Sequence, residues 1–443
     1  MPRLTPASPW RRRLAIALAA IALTACVLIA ALWLMLRAAL IPQAGEWAAP
    51  IGRGPLALRA SVPQLVWLAT TPWIGERLHG VRLRTRAGPV TLGWVPPGEE
   101  GPRGVLTVHC EPCTLSLPAP MASAVGQAAL HLPAAQIALS REITDVNGQH
   151  LRGTLLLGTA APTGERGLLT ARWQAQRHGP GWQVDMQWPD APARHWFALL
   201  APGLPELAVA HIEGDVAARA TWHLPHGPLH ITPQVQGLAV SGLGTGQWAH
   251  ARSSCGPHRL HPARGWLARA VLAAEDQRFH QHPGYDLPEL VAALQLNQQH
   301  GAIQRGGSTL NQQVAKLMVA GGERTLARKL RELLYAVEME HTLGKARILQ
   351  LYLNLAPWGH QADGQLICGA DAAARHYFGT RAARLTPRQA VTLAAMLRQP
   401  AHDLTRPADA TPERVRWVAQ QVRGVPLHQR RALMAQLDAP PGP

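Results

Sequence analysis

The chain has 443 residues, 47% of them hydrophobic and 16% charged, which is enough apolar material for more than one core and excludes disorder as its bulk state. Its formal net charge of +16 and pI near 11.0 point to anionic partners: nucleic acid, acidic lipid or a phosphorylated substrate. Five cysteines are too few for a small disulfide scaffold.

The first predicted element is a transmembrane helix over residues 14–36, where Leu14 to Leu36 run without a charge. At roughly 1.5 Å per residue the run is long enough to cross a bilayer core, and it exceeds the apolar stretch of a cleaved signal peptide. Arg3, Arg11, Arg12 and Arg13 precede it with no acidic residue, while Arg37, Glu46 and Arg53 follow in mixed sign. The positive-inside rule then leaves residues 1–13 in the cytoplasm and everything after Arg37 outside, which removes nucleic acid as a partner. The expected arrangement is a single-pass membrane protein, N-terminus cytoplasmic, with the later domains on the outer side and in contact with membrane lipids.

From residue 38 to 245 the pattern predicts a β-rich domain, with period two broken by Gly and Pro at short intervals. Leu169, Ala171, Trp173 and Ala175 alternate with polar residues, His178-Gly179-Pro180-Gly181 turns the chain, and Trp182, Val184, Met186 and Trp188 alternate again: a hairpin. Similar alternation around Val105–Cys110, Leu130–Leu139 and Leu151–Leu157 predicts an antiparallel sheet with one wet face. Cys110-Glu-Pro-Cys113 has redox-motif spacing but no surrounding βαβ pattern, so it reads as a structural turn or local disulfide; Cys255 and Cys368 stay open between free and paired.

A glycine-rich stretch, Ser241 to Gly246, marks a boundary, after which the apolar spacing becomes helical. Helices are predicted at Leu267–Phe279, Pro288–Gln299, Thr309–Val319, Arg324–His341, Ala346–Leu355, Ala370–Phe378 and Pro387–Leu397 within a domain at 246–407, followed by a helical tail at 408–443. The fold class is therefore multidomain: N-terminal transmembrane helix, β-rich middle domain and mainly α C-terminal domain.

Three segments of the helical domain carry chemistry. Glu275 and Asp276 emerge after the small apolar residues Ala270 to Ala274, surroundings that lift a carboxyl group toward the proton affinity of a general base. Gly306-Gly307-Ser308-Thr309 opens a helix whose free amides and dipole can receive an anion, with Lys316 about two turns along. On the helix from Arg324, Leu326, Leu330, Leu333 and Val337 form an apolar stripe, which places Thr325, Arg328, Glu332 and Tyr335 on the other, outward side. Each segment has a plain alternative: a solvated helix end, an ordinary N-cap, an i,i+4 ion pair.

Taken in order, Glu-Asp-x-x-Phe-x-x-His-x-Gly, Gly-Gly-Ser-Thr-x-x-Gln-Gln-x-x-Lys, Arg-Lys-x-x-Glu and Ile-Leu-x-x-Tyr-Leu-Asn (Ile348 to Asn354), with Ala372 to Gly379 downstream, resemble the family 51 peptidoglycan glycosyltransferases of the monofunctional type. The resemblance covers roughly residues 248–405. It implies a lysozyme-like catalytic domain that polymerises lipid II into β-1,4 glycan strands with inversion and release of undecaprenyl pyrophosphate. It assigns Glu275 as general base and counts Glu332 as the other catalytic residue, which orients the groups that meet the leaving pyrophosphate or holds a divalent metal. Asp276, Phe279, His282, Ser308, Thr309, Gln313, Lys316, Arg328 and Lys329 are then substrate-binding residues. It implies no certain cofactor, with Glu332 the position for a divalent metal (Mg or Mn) if one is used. The implied partners are lipid II and the growing glycan chain, with transpeptidases and other cell-wall proteins as further candidates. The chain departs from the family at Leu317, where Asn is usual, at Gln350, where Glu is frequent, and over Ala356 to Gly369, departures that spare the two acidic positions and the lysine and bear on substrate detail and rate. The rival readings are a peptidoglycan-cleaving hydrolase and a non-catalytic envelope protein with a decayed domain. Because no matched position precedes Glu275, deletion of the β-rich region is expected to leave polymerase activity.

Overall fold

The computed structural model describes residues 9–51, 58–98, 104–117, 122, 127–141, 150–158, 169–225, 227–250, 264–300, 306–319, 325–361, 363–398 and 411–439. Helix α1 (Pro9–Leu40) contains a stretch, Ala17–Met35, long and apolar enough to cross a membrane. Arg305, which precedes the glycine pair of the motif, Arg324 of the predicted helix and Cys255 lie outside the described residues.

Nine strands form one antiparallel sheet: β1 (Arg82–Thr85), β2 (Gly88–Val95), β3 (Val105–Cys110), β4 (Ala135–Arg141), β5 (His150–Leu157), β6 (Leu169–His178), β7 (Gly181–Pro192), β8 (His211–Leu224) and β9 (Leu229–Ser241). Within this sheet the strands follow one another in chain order, a meander with β1 and β9 at its edges, while Cys113–Ser116 and Ala129–Leu132, which come between β3 and β4, pair apart as a two-stranded ribbon. The predicted hairpin is β6–β7, closing at His178↔Gly181 around Gly179, whose φ of 57° lies in the left-handed region open to glycine. Along β6, Leu169, Ala171, Trp173 and Ala175 are buried and the alternate residues exposed. The apolar face gathers Trp94, Leu106, Leu139, Leu151, Trp173 and Trp182 under Val66 and Ala69 of helix α2 (Val62–Ala69), beside helix α3 (Pro72–Leu78). Gly153 lies beneath the Trp173 ring, and a Cβ there would collide with the carbonyl of Ala138 on β4. Cys110 and Cys113 form a local disulfide, as one of the two sequence readings had it.

The C-terminal helices are α5 (Trp266–Glu275), α6 (Leu287–His300), α7 (Leu310–Met318), α8 (Leu326–Thr342), α9 (Gly344–Leu355), α10 (Ala370–Phe378), α11 (Pro387–Ala395), α12 (Pro412–Gln421) and α13 (Leu427–Asp438), numbered after α4 (Ala193–Leu200) in the sheet region. One core unites α5, α7, α9, α10 and α11 with Val415, Val418 and Ala419 of α12 and Leu433 of α13, so the predicted tail is built into the helical core. The segment after α9 is a β-hairpin, Pro357–His360 with Leu366–Cys368, whose Trp358 is buried and donates its indole N–H to the Leu393 carbonyl. Cys368 is disulfide-bonded.

Helix α8 belongs to two cores. Met339 packs with the helical core, while Leu334 and Val337, joined by Leu330 and Leu333, pack with Phe197 of α4, Ile212 of β8 and Val240 of β9. Arg331 pairs with the buried Glu206 at 2.8 Å, and Glu338 accepts the backbone N–H groups of Leu243 and Gly244. The apolar stripe read from the sequence therefore faces the sheet region. The opposite side of α8, expected to face outward, is also covered: Glu332 is 3% exposed, and Tyr335 stacks on Trp248.

Candidate active site

Helix α5 stops at Glu275, one turn earlier than predicted, because Asp276 turns to an extended φ of −159° and its carboxylate reaches across to α7. There it accepts the Leu310 N–H at 2.9 Å and His282 Nε2 at 3.0 Å. Leu310 is the first residue of α7, where an amide has no partner within the helix and a negative charge is favoured. His282 Nδ1 accepts the Gly284 N–H, which leaves the ring proton on Nε2 facing Asp276. Gly284 has a φ of 95°, and a Cβ there would lie 2.6 Å from the Ala336 carbonyl of α8. Phe279 is buried in the core with the Lys345 ammonium 4.5 Å from its ring centroid. The structure thus places Asp276, Phe279 and His282 beneath the site, where they fix α5 against α7.

Thr309 caps α7 in a reciprocal box with Gln312, and its hydroxyl donates to the Gly284 carbonyl at 2.7 Å. That cap orients Gln313, one turn on, whose Nε2 donates to Glu275 Oε2 at 3.0 Å. Tyr352 of α9, 3% exposed, donates its hydroxyl to Gln313 Oε1 at 3.2 Å. Burial and, after it, the Glu275 charge hold the Tyr352 hydroxyl well above the ordinary tyrosine range, so it stays protonated and a donor. Lys316 is exposed and follows Gln313 by three residues, which puts it on the same helix face. Leu317 beside it is exposed too.

A second cluster lies at the N-terminal side of α7. Glu332 binds Arg328 Nη1 through Oε1 at 2.6 Å and Lys329 Nζ through Oε2 at 2.7 Å, and Lys329 also donates to Ser308 Oγ at 3.0 Å. Thr325 caps α8 by accepting the Arg328 N–H. With both Glu332 oxygens held by cations, the cluster carries an excess positive charge and suits an anion better than a metal; among the described residues no group of three metal-ligating side chains occurs. Ser308, bonded to Lys329, and Gln313, bonded to Glu275, lie on either side of the Thr309 cap, so the start of α7 links this cation cluster to Glu275. At a family departure, Gln350 accepts a hydrogen bond from Arg347.

Sequence reasoning missed Tyr352 as a site residue, although the Tyr-Leu-Asn motif containing it was visible. Tyr352→Phe removes one oxygen from a tight core and leaves Gln313 Oε1 without that donor. It is expected to lower turnover about 10-fold, with stability changed by about 1 kcal/mol. Steady-state rates beside a thermal melt check this; an unchanged rate would show that the hydroxyl does not help orient Gln313.

The transglycosylase family matches residues 257–423, a span that contains Glu275, Gln313, Lys316, Glu332 and Tyr352. The chain is similar to the biosynthetic peptidoglycan transglycosylase of Alcanivorax borkumensis, 47% identical over 158 residues, which cover 35% of this chain and 62% of that protein. Proteins of the same name align from Thiobacillus denitrificans, 35% identical over 49% of this chain and 84% of the relative, and from Chromobacterium violaceum, 40% identical over 36% of this chain and 69% of the relative. The chain thus spans just under two thirds of the Alcanivorax protein and more of the other two. A site built on α5, α7, α8 and α9 and these alignments lead to one statement: the chain belongs to the transglycosylase family.

Proposed function

We propose that the chain is a membrane-anchored peptidoglycan glycosyltransferase that polymerises lipid II. The observation that carries this reading is the pairing of one carboxylate, Glu275, held by Gln313 of α7, with a cation-rich cluster that Lys329 ties to Ser308 just ahead of the same helix. In the proposed reaction the 4-hydroxyl oxygen of incoming lipid II attacks the anomeric carbon of the growing chain from the face opposite its leaving group. The bond from that carbon to the lipid pyrophosphate breaks, the pyrophosphate leaves with the bonding electrons, and the hydroxyl proton passes to Glu275. Gln313 fixes the carboxylate's orientation. Lys316, Arg328, Lys329 and Ser308 face the negative charge that grows on the leaving group, with Glu332 holding the two cations of α8 in place. The helical region around α5 and α7, with α12 and α13 packed into its core, is read as the lysozyme-like catalytic domain and the sheet as a separate domain, with boundaries near residues 38 and 246.

A peptidoglycan hydrolase would have no pyrophosphate to stabilise and leaves the cation cluster unexplained. The deciding assay is incubation of the detergent-solubilised full chain with lipid II. Lysozyme-sensitive polymer and free lipid pyrophosphate are expected; shortening of preformed glycan would instead support the hydrolase, and no turnover by folded protein the decayed domain.

Helix α1 is taken as the anchor, with the Arg-rich N-terminus cytoplasmic and the remainder periplasmic, in the inner membrane. Alkaline phosphatase fused after Pro443 should be active. An inactive phosphatase fusion alongside a fluorescent cytoplasmic reporter would reverse the orientation.

A further inference from the structure

The open face of the sheet has no part in the proposed reaction, yet its composition is not that of an ordinary wet face. Pairing across β5 to β8 sets Thr154, Arg172, Gln187 and Arg219 in one cross-strand row and Arg152, Gln174, Asp185 and Thr221 in the next. Residues two apart on a strand share a face, so the two rows lie side by side, and they line a hollow of about 850 Å³. Arg172 and Arg219 are two strands apart, roughly 10 Å, and Arg152 is a diagonal neighbour of Arg172 at roughly 7–8 Å.

All three arginines are exposed, and no ion pair among the described residues uses any of them. The carboxylate in these rows, Asp185, accepts from Thr221 at 2.6 Å and from Gln183 at 3.0 Å. Three guanidinium forks therefore stand over one carboxylate already bonded to neutral groups. Each fork matches a carboxylate or phosphate in shape, and the Thr and Gln side chains between them offer hydroxyl and amide groups.

We propose that this hollow binds the carboxylate-bearing glycan strand that the helical region is proposed to make, an inference that rests on that reading. Charge complementarity calls for an anion repeated along a chain, because the guanidinium groups are spread over three of the four strands. The neutral hydrogen-bonding groups between them suit a polymer rich in hydroxyls. A flat bilayer surface does not reach the floor of a concave face, and the two rows present no large exposed apolar side chain as a protein anchor. The core shared through α8 fixes the sheet to the helices that carry Arg328 and Lys329, so a strand held here stays beside the site that extends it.

The test uses the full chain in detergent and fluorescently labelled, uncrosslinked peptidoglycan strands with intact peptides. The unsubstituted chain and Glu275→Gln should bind these strands equally, and more weakly as salt rises. The triple variant Arg152→Gln, Arg172→Gln, Arg219→Gln should bind at least about 10-fold more weakly with an unchanged melting temperature. Strands whose carboxylates have been capped as neutral amides by carbodiimide coupling should lose affinity to a similar degree. Should the triple variant misfold, Arg172→Gln and Arg219→Gln singly should each weaken binding about threefold. Equal binding by the arginine variants, or by strands with capped carboxylates, overturns the proposal. So does capture of phosphatidylglycerol vesicles through the three arginines without capture of strands, which would make the face a membrane contact. Failure of the proposed activity reads out separately, as absence of polymer from lipid II in the unsubstituted chain.

Discussion

Glu275→Gln is expected to reduce polymerisation of lipid II by a factor of roughly 10² to 10⁴, the usual loss when a positioned general base is removed. The amide keeps the shape of the side chain and an oxygen to accept from Gln313 Nε2, so the bond between α5 and α7 survives and the melting temperature should hold. Only the capacity to take the 4-hydroxyl proton is gone. The loss should therefore fall on kcat, with KM little altered, since the cations proposed to meet the pyrophosphate sit on α7 and α8. Single-turnover kinetics with lipid II separate the two terms. Undiminished polymerisation by Glu275→Gln would sink the mechanism even with the family assignment intact.

Deletion of the sheet region, with the anchor rejoined ahead of the helical region, is expected to yield a chain that aggregates or melts more than about 10 °C lower. This reverses what the placement of the motifs alone suggests. Leu330, Leu333, Leu334 and Val337 would lose Phe197, Ile212 and Val240, and burial of such side chains contributes about 1.5–3 kcal/mol each. Arg331 would lose Glu206, and Glu338 would lose the two amides it accepts. A loss of several kcal/mol is a large part of a typical total of about 5–15 kcal/mol. The helix so exposed also carries Arg328, Lys329 and Glu332, so activity should fall with stability. Leu334→Ala in the full chain samples the same contact without deletion and should cost about 2–5 kcal/mol. A truncated chain that melts like the full one and polymerises at its rate would show the interface to be dispensable.

Alternation and capping made much of the fold legible. The β6–β7 hairpin is visible because every second residue from Leu169 to Ala175 is apolar, and α7 because Thr309 and Gln312 stand at the spacing of a capping box. What stayed hidden depends on contacts far apart in sequence. Asp276 adjoins Glu275 and invites a shared role, but its partner Leu310 is 34 residues away, and nothing local tells a structural carboxylate from a reacting one. Periodicity on α8 found one apolar stripe and assigned the remainder to solvent. A helix buried on both sides, with one side closed by ion pairs and an aromatic stack, defeats that rule because Glu332 and Arg328 count as polar wherever they lie. The Tyr352–Gln313–Glu275 chain likewise joins three helices whose order in space no single motif records.

The edges of the sheet bear on how copies of this chain coexist. A nine-stranded meander leaves β1 and β9 with backbone groups that could recruit another strand. On β1 the hazard is small, because the strand has four residues and two of them, Arg82 and Arg84, repel their counterparts in a second copy. Strand β9 is long, but Pro233 pairs with Ala218 within it, and a proline fits there only with its missing N–H turned outward, where an incoming strand would look for a donor. Farther along, Val240 is packed against α8. Neither border offers a continuous ladder, so crowding of many copies in one place should not zip their sheets together into fibrils.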